Sequence, residues 1–112
     1  MKKYDVLAAG DLNVDLIMTG LTSLPVAGRE FLADSYTLAM GGSTAICAAG
    51  MAKIGLKTAF IGKIGDDCYG NLCRDLMESY GVDITNLIKD PSLQTGITIS
   101  MTAKNNYTAM LC

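Results

Sequence analysis

Asp11, Asn13 and Asp15 alternate with Leu12, Val14 and Leu16. In an extended segment alternate residues share a face, so two carboxylates and a carboxamide line up on one side. Such a row can accept from and donate to the vicinal hydroxyls of a polyhydroxylated ligand. Hydrogen bonds with a charged partner are worth roughly 1.5–3 kcal/mol each. The same residues also suit a solvated strand face, and both readings stand at this point. The row opens like a calcium loop, but Leu16 stands where the turn glycine is needed and Thr22 where the bidentate glutamate is needed. Calcium is therefore discarded. Gly41-Gly42 forms a second candidate. Two glycines before a helix allow positive φ and let a ligand approach the main chain, next to a helix start that favours acceptor oxygens. A plain strand-to-helix turn needs the same residues. Gly62 to Gly70 is rich in glycine, but it matches neither GxGxxG nor GxxxxGK[ST], and Asn71 follows Gly70 where a P-loop needs lysine. It reads as a turn and a helix cap.

These residues need elements to position them. Tyr4 to Ala9 reads as a buried parallel strand closed by Gly10. The Asp11–Leu16 alternation is extended and continues towards Thr19. Gly20 to Gly28 is loop, with Pro25 as breaker. Glu30 to Met40 alternates loosely and reads as an antiparallel strand. Ser43 to Ile54 is small and apolar nearly all round, which predicts a buried helix with Ser43 as N-cap and Gly55 as its stop. Lys57 to Gly62 is a second short buried strand. Asp66 or Asp67 caps an amphipathic helix with Tyr69, Leu72, Cys73, Leu76, Met77 and Tyr80 on one face, ended by Gly81. Val82 to Thr85 is a candidate short strand and Lys89 to Gln94 a loop. Ile97 to Thr102 and Tyr107 to Cys112 form a hairpin around Lys104-Asn105-Asn106. Two strand–helix units argue for a parallel α/β sheet, and the remaining strands for a separate antiparallel layer. Two short parallel strands and two helices do not complete such a sheet, and the chain stops inside a strand. The expectation is a fragment of a larger domain.

Composition narrows the function. The chain has 112 residues, half of them hydrophobic, with 9 basic and 11 acidic side chains and no histidine. That is enough apolar material for a core. No Lys/Arg cluster extends beyond Lys2-Lys3, which argues against nucleic acid. Without histidine, histidine triads and most zinc sites are excluded. Cys47, Cys68, Cys73 and Cys112 form no CxxC pair, and the apolar run after the first residues is too short for a signal peptide. The uncharged stretch Ser35–Ala52 is too rich in glycine and small residues for a membrane span. The expectation is a reduced, cytoplasmic protein with no membrane partner.

In order along the chain, the motifs resemble the N-terminal part of the ribokinase-like (PfkB-type) carbohydrate kinases. Gly10-Asp11-Leu12-Asn13-Val14-Asp15 is similar to that family's opening Gly-x-x-Asn-x-Asp. Leu24-Pro25-x-x-Gly28 resembles its turn before the lid strand. Gly41-Gly42, then Ala48, Gly55 and Gly65, follow its N-terminal signature. Gly65-Asp66-Asp67-x-x-Gly70, Gly81-Val82-Asp83 and Thr95-Gly96 resemble its later turns and lid strand. The resemblance covers essentially the whole chain. It implies the N-terminal part of an α/β sandwich with a small antiparallel β-sheet lid, residues 1–112 being one fragment with lid segments at about 16–40 and 95–112. It also implies transfer of a phosphoryl group from ATP, with Mg2+, to a hydroxyl of a sugar or related polyol. Asn13, Asp15, Gly41, Gly42 and Ser43 would line the sugar site. Two copies would pair through the lid. The catalytic base belongs to a C-terminal Gly-x-Gly-Asp motif beyond Cys112, so the fragment is expected to be inactive alone. The alternative is a non-catalytic sugar-binding or dimerising remnant. Two departures bear on the substrate. Ile46 stands where Asn follows the usual Gly-Gly-x-Gly-Ala, and Ser43 where ribokinases carry Lys, which turns the expectation away from ribose.

Overall fold

The computed structural model describes residues 2–105 and 107–112. The elements run β1 (Val6–Ala9), β2 (Asn13–Leu21), β3 (Ser35–Gly41), α1 (Ser43–Lys53), β4 (Thr58–Gly65), α2 (Cys68–Ser79), β5 (Leu87–Asp90), β6 (Ile97–Ala103) and β7 (Thr108–Leu111). They divide into two units. The first comprises Met1–Val14 and Met40–Gly96, the second Asp15–Ala39 and Ile97–Cys112.

The first unit is built on a parallel sheet in the order β1-β4-β5. The early half of β4 pairs with β1, Val6 opposite Thr58 through Ala9 opposite Ile61. Its later half pairs with β5, Gly62 opposite Leu87 through Gly65 opposite Asp90. Phe60 and Ile64 of β4 are buried, as the β-branched and aromatic content of this strand favours. Two helices seal them. In α1, Ala45, Ala48 and Ala49 recur at three- and four-residue steps, and their small side chains let the helix lie close on β1 and β4. In α2, Cys73 and Met77 face inward against β4, while Asp75, Glu78 and Ser79 face water. Asp67 starts α2, its carboxylate accepting from the Gly70 N–H at 2.7 Å.

The second unit carries a four-stranded sheet in the order β3-β2-β6-β7. β6 and β7 form the expected antiparallel hairpin, Ile99 opposite Leu111 and Thr102 opposite Thr108. Asn106 of its turn lies outside the described residues. Asp34 fastens the entry to β3. Its N–H donates to the Thr19 carbonyl at 2.9 Å, and its carboxylate meets Lys104 at 3.4 Å.

Several expectations need correction. The sheet of the second unit is mixed rather than antiparallel. Val14 N–H donates to the Gly96 carbonyl and Lys104 N–H to the Leu21 carbonyl, so β2 and β6 run the same way. The first sheet has three parallel strands, because Leu87–Asp90 is a strand and Val82–Thr85 makes only a single bridge from Asp83 to Ala59. β4 runs on through Gly62–Gly65, which read as a turn. β2 begins at Asn13 and reaches Leu21, and β3 begins at Ser35 rather than Glu30. β1 is half-exposed, with Leu7 61% exposed. α1 is buried on one side only, since Ile46 is 54% and Ile54 79% exposed. Its N-cap is Gly42, with no side-chain bond from Ser43. None of the four cysteines is in a disulfide; Cys73 is buried and the others are exposed. Among the described residues, no helix is long and apolar enough to cross a membrane.

Asp83 ties the segment after α2 back to the chain's beginning. The Thr85 hydroxyl, then the Tyr4 hydroxyl and the Thr85 N–H, hold its carboxyl down at about 2. A carboxyl lowered by folding stabilises the fold above its unfolded value and loses that contribution as pH falls through the folded one. The urea midpoint of the Asp83→Asn variant should therefore lie below that of the parent at pH 5, and the gap should close between about pH 4 and pH 2. A gap constant with pH would contradict this account of Asp83.

Candidate functional site

β1 ends at Ala9, and the Gly10 N–H donates to the Ile61 carbonyl at 3.1 Å. The chain then passes the start of α1 too closely for a side chain. A Cβ on Gly10 would sit 2.6 Å from the Thr44 hydroxyl oxygen. Leu12 and Val14 are buried and anchor the segment on the core side. With these two inward, the intervening Asn13 is half-buried.

Gly42 closes the other side of this seam. Its φ is 98° and its ψ 118°, a conformation suited to glycine. A Cβ there would lie 2.3 Å from the Asp11 carbonyl oxygen and 3.3 Å from Asn13 Oδ1. The Asn13 carboxamide oxygen thus lies beside the main chain where α1 begins. The Gly42 carbonyl accepts the first helical bond, from Ile46 N–H at 2.9 Å. The N-cap residue, Gly42, has no side chain with which to cap the helix. A polar ligand at this edge meets a carboxamide that can donate and accept, next to backbone donors at the positive end of a helix.

The sequence candidates fall as follows. Asn13, Gly41, Gly42 and Ser43 belong to the first unit, and Asn13 and Gly42 come together there. Ser43 is exposed on the first turn of α1, and Gly41 is the buried last residue of β3. Asp15 is half-buried on β2 and belongs to the second unit. Asp11 is not part of the strand; it contributes its carbonyl to the seam with Gly42. Gly96 was not foreseen here. Its carbonyl accepts from Val14 N–H at 3.0 Å, and a Cβ on it would stand 3.4 Å from Asn13 Cβ. Its sequence signal was the Thr95-Gly96 pair that resembles the start of a lid strand, just before a β-branched run.

The model of the pfkB family of carbohydrate kinases matches residues 3–112. The chain belongs to that family. It is 39% identical over 103 residues to a Lacticaseibacillus casei protein named 5-dehydro-2-deoxygluconokinase, covering 90% of this chain and 28% of that protein. A Bacillus subtilis protein of the same name is 37% identical over 91 residues, covering 80% and 26%. The chain thus spans little more than a quarter of the curated relatives it matches. Its ribokinase-like α/β fold is shared with Thermotoga maritima ribokinase, at TM-score 0.83 and 27% identity over 96% of this chain and 35% of that one. Arabidopsis thaliana ribokinase, solved with ribose and ATP, superposes at TM-score 0.89 and 23% identity over 98% of this chain and 36% of that one. Among the described residues of this pfkB-family chain, no three His, Cys, Asp or Glu side chains converge to hold a metal ion.

The seam at Gly42 makes a direct prediction. Gly42→Ala should cost roughly 3 kcal/mol or more, combining a strained φ with a clash against backbone. Gly55 has the same φ of 98° but open space around it, so Gly55→Ala should cost only about 1 kcal/mol. Urea unfolding of the two variants checks this; equal costs would contradict it.

Proposed function

We propose that this chain is the sugar-recognising part of a kinase acting on a hydroxyl of 5-dehydro-2-deoxygluconate or a closely related sugar acid. The observation that carries the reading is the Asn13 carboxamide set against the Gly42 main chain, where α1 begins. Asn13 donates to and accepts from sugar hydroxyls, and Asp15, two residues on along β2, accepts from another. Gly41 and Gly42 let the sugar approach the backbone, and Ser43 adds a hydroxyl on the first turn. Ser43 and Ile46 stand where ribokinases carry Lys and Asn, and the shared name of several relatives points the same way, away from ribose.

The phosphoryl donor in this reading is ATP with Mg2+, as in the family at large. None of the 112 residues is assigned as the base, so the chain alone binds the sugar acid without turning it over. In this reading the sheet of the second unit is the counterpart of the family's β-sheet lid. Its strands β3 and β7 stand at the sheet edges with Tyr36, Met110 and Leu111 exposed, and they are the surface through which two copies pair.

Titration calorimetry of the 112-residue chain with 5-dehydro-2-deoxygluconate, ribose and fructose tests the reading. The sugar acid should bind most tightly. Asn13→Ala and Asp15→Ala should each weaken it about 10- to 150-fold, the loss of a bond worth roughly 1.5–3 kcal/mol. Equal affinity for all three sugars, or variants that bind like the parent, would overturn it.

A further inference from the structure

Asp67 does more than cap a helix. An N-cap needs one bond, and the Gly70 N–H supplies it to Oδ1. The same oxygen also accepts from the Thr95 hydroxyl at 2.7 Å, and Oδ2 accepts from the Thr95 N–H at 2.8 Å. Thr95 lies 28 residues further on and is buried. Its hydroxyl oxygen accepts in turn from the Gly65 N–H at 2.9 Å. These bonds hold the Asp67 carboxyl below its ordinary range, the Thr95 N–H contributing most and the Gly70 N–H next.

The two glycines make the clasp possible. A Cβ on Gly65 would stand 2.6 Å from the Leu93 carbonyl oxygen and 2.7 Å from Thr95 N. A Cβ on Gly70 would stand 2.3 Å from the Gly65 carbonyl oxygen and 2.8 Å from the Thr95 hydroxyl oxygen. Both positions must be bare for residues 93–95 to close on the turn between β4 and α2. The next residue is Gly96, which accepts from Val14 N–H and backs Asn13.

We infer that Asp67 and Thr95 are positioning residues for Asn13, clasping residue 95 so that Gly96 supports the strand end that carries the carboxamide. The functional consequence rests on reading Asn13 as a sugar contact; the mechanical one does not. Three variants separate the clasp from ordinary stability. Thr95→Val removes the hydroxyl at nearly constant shape. Thr95→Ser keeps the hydroxyl. Asp67→Asn keeps a good N-cap for α2 but replaces one acceptor oxygen with a donor.

Amide hydrogen exchange of the full chain provides the test, with sugar-acid affinity measured alongside. In Thr95→Val and Asp67→Asn, the Val14 amide should exchange at least tenfold faster, with the Phe60 and Tyr80 amides within twofold of the parent. Thr95→Ser should return Val14 to the parent rate. Affinity for 5-dehydro-2-deoxygluconate should fall about tenfold in the first two variants and recover in the third. A uniform rise at Val14, Phe60 and Tyr80, or an unchanged Val14, would overturn the inference. If Thr95→Val fails to fold, the Asp67→Asn result decides alone. A parent chain that binds no sugar acid would defeat the proposed function while leaving the Val14 result to judge the clasp.

Discussion

No side chain fits between residue 42 and the carbonyl of Asp11. A Cβ there would come within 2.3 Å of that oxygen, and the φ of 98° would strain any residue that carried one. This close approach sets where α1 starts relative to the loop that follows β1. Gly10, the residue before Asp11, repeats the constraint against Thr44. With the two backbones in contact, the buried Leu12 and Val14 point one way and Asn13 the other. The carboxamide oxygen thus lies beside the main chain where α1 begins.

The rest of the first unit serves that seam. The alanine stripe of α1 lets the helix lie low on β1 and β4, which brings Gly42 down to the loop. β4 is the organising strand, gripping β1 with its first half and β5 with its second. Where β4 ends, Gly65, Asp67 and Gly70 form a turn that starts α2 and also receives Thr95. A single carboxylate thus serves both a helix end and the return of the chain towards Asn13. Asp83, bonded by Thr85 and Tyr4, closes the opposite end of the unit.

The alternation from Asn13 onward and the Gly-Gly pair were legible because both are local. Period-two patterning marks a strand, and paired glycines before a helical run mark a backbone contact. α2 was legible for the same reason, its apolar face and its Asp67 cap lying within one stretch of chain. What escaped depends on partners far away in sequence. Leu87–Asp90 carries two charges in four residues and resembles loop, yet β4 offers it a free edge; Val82–Thr85 looks more strand-like and gets one bridge. The parallel pairing of β2 with β6 joins residues about eighty positions apart, which no periodicity reports. α1 looked buried because it is apolar all round, but the described residues cover only its alanine side. Ser43 looked like a cap by type, and the seam put glycine in that place instead.

The account stands or falls on whether a sugar acid seats at the meeting of Asn13 and Gly42. The most direct measurement is the amide spectrum of the 15N-labelled chain, recorded with and without saturating 5-dehydro-2-deoxygluconate. The account predicts that the Asn13 side-chain amide and the Gly42 backbone amide shift together, while the exposed end of α2 at Glu78 and Ser79 stays in place. A spectrum that does not change, or changes only at residues remote from Asn13 and Gly42, would contradict it.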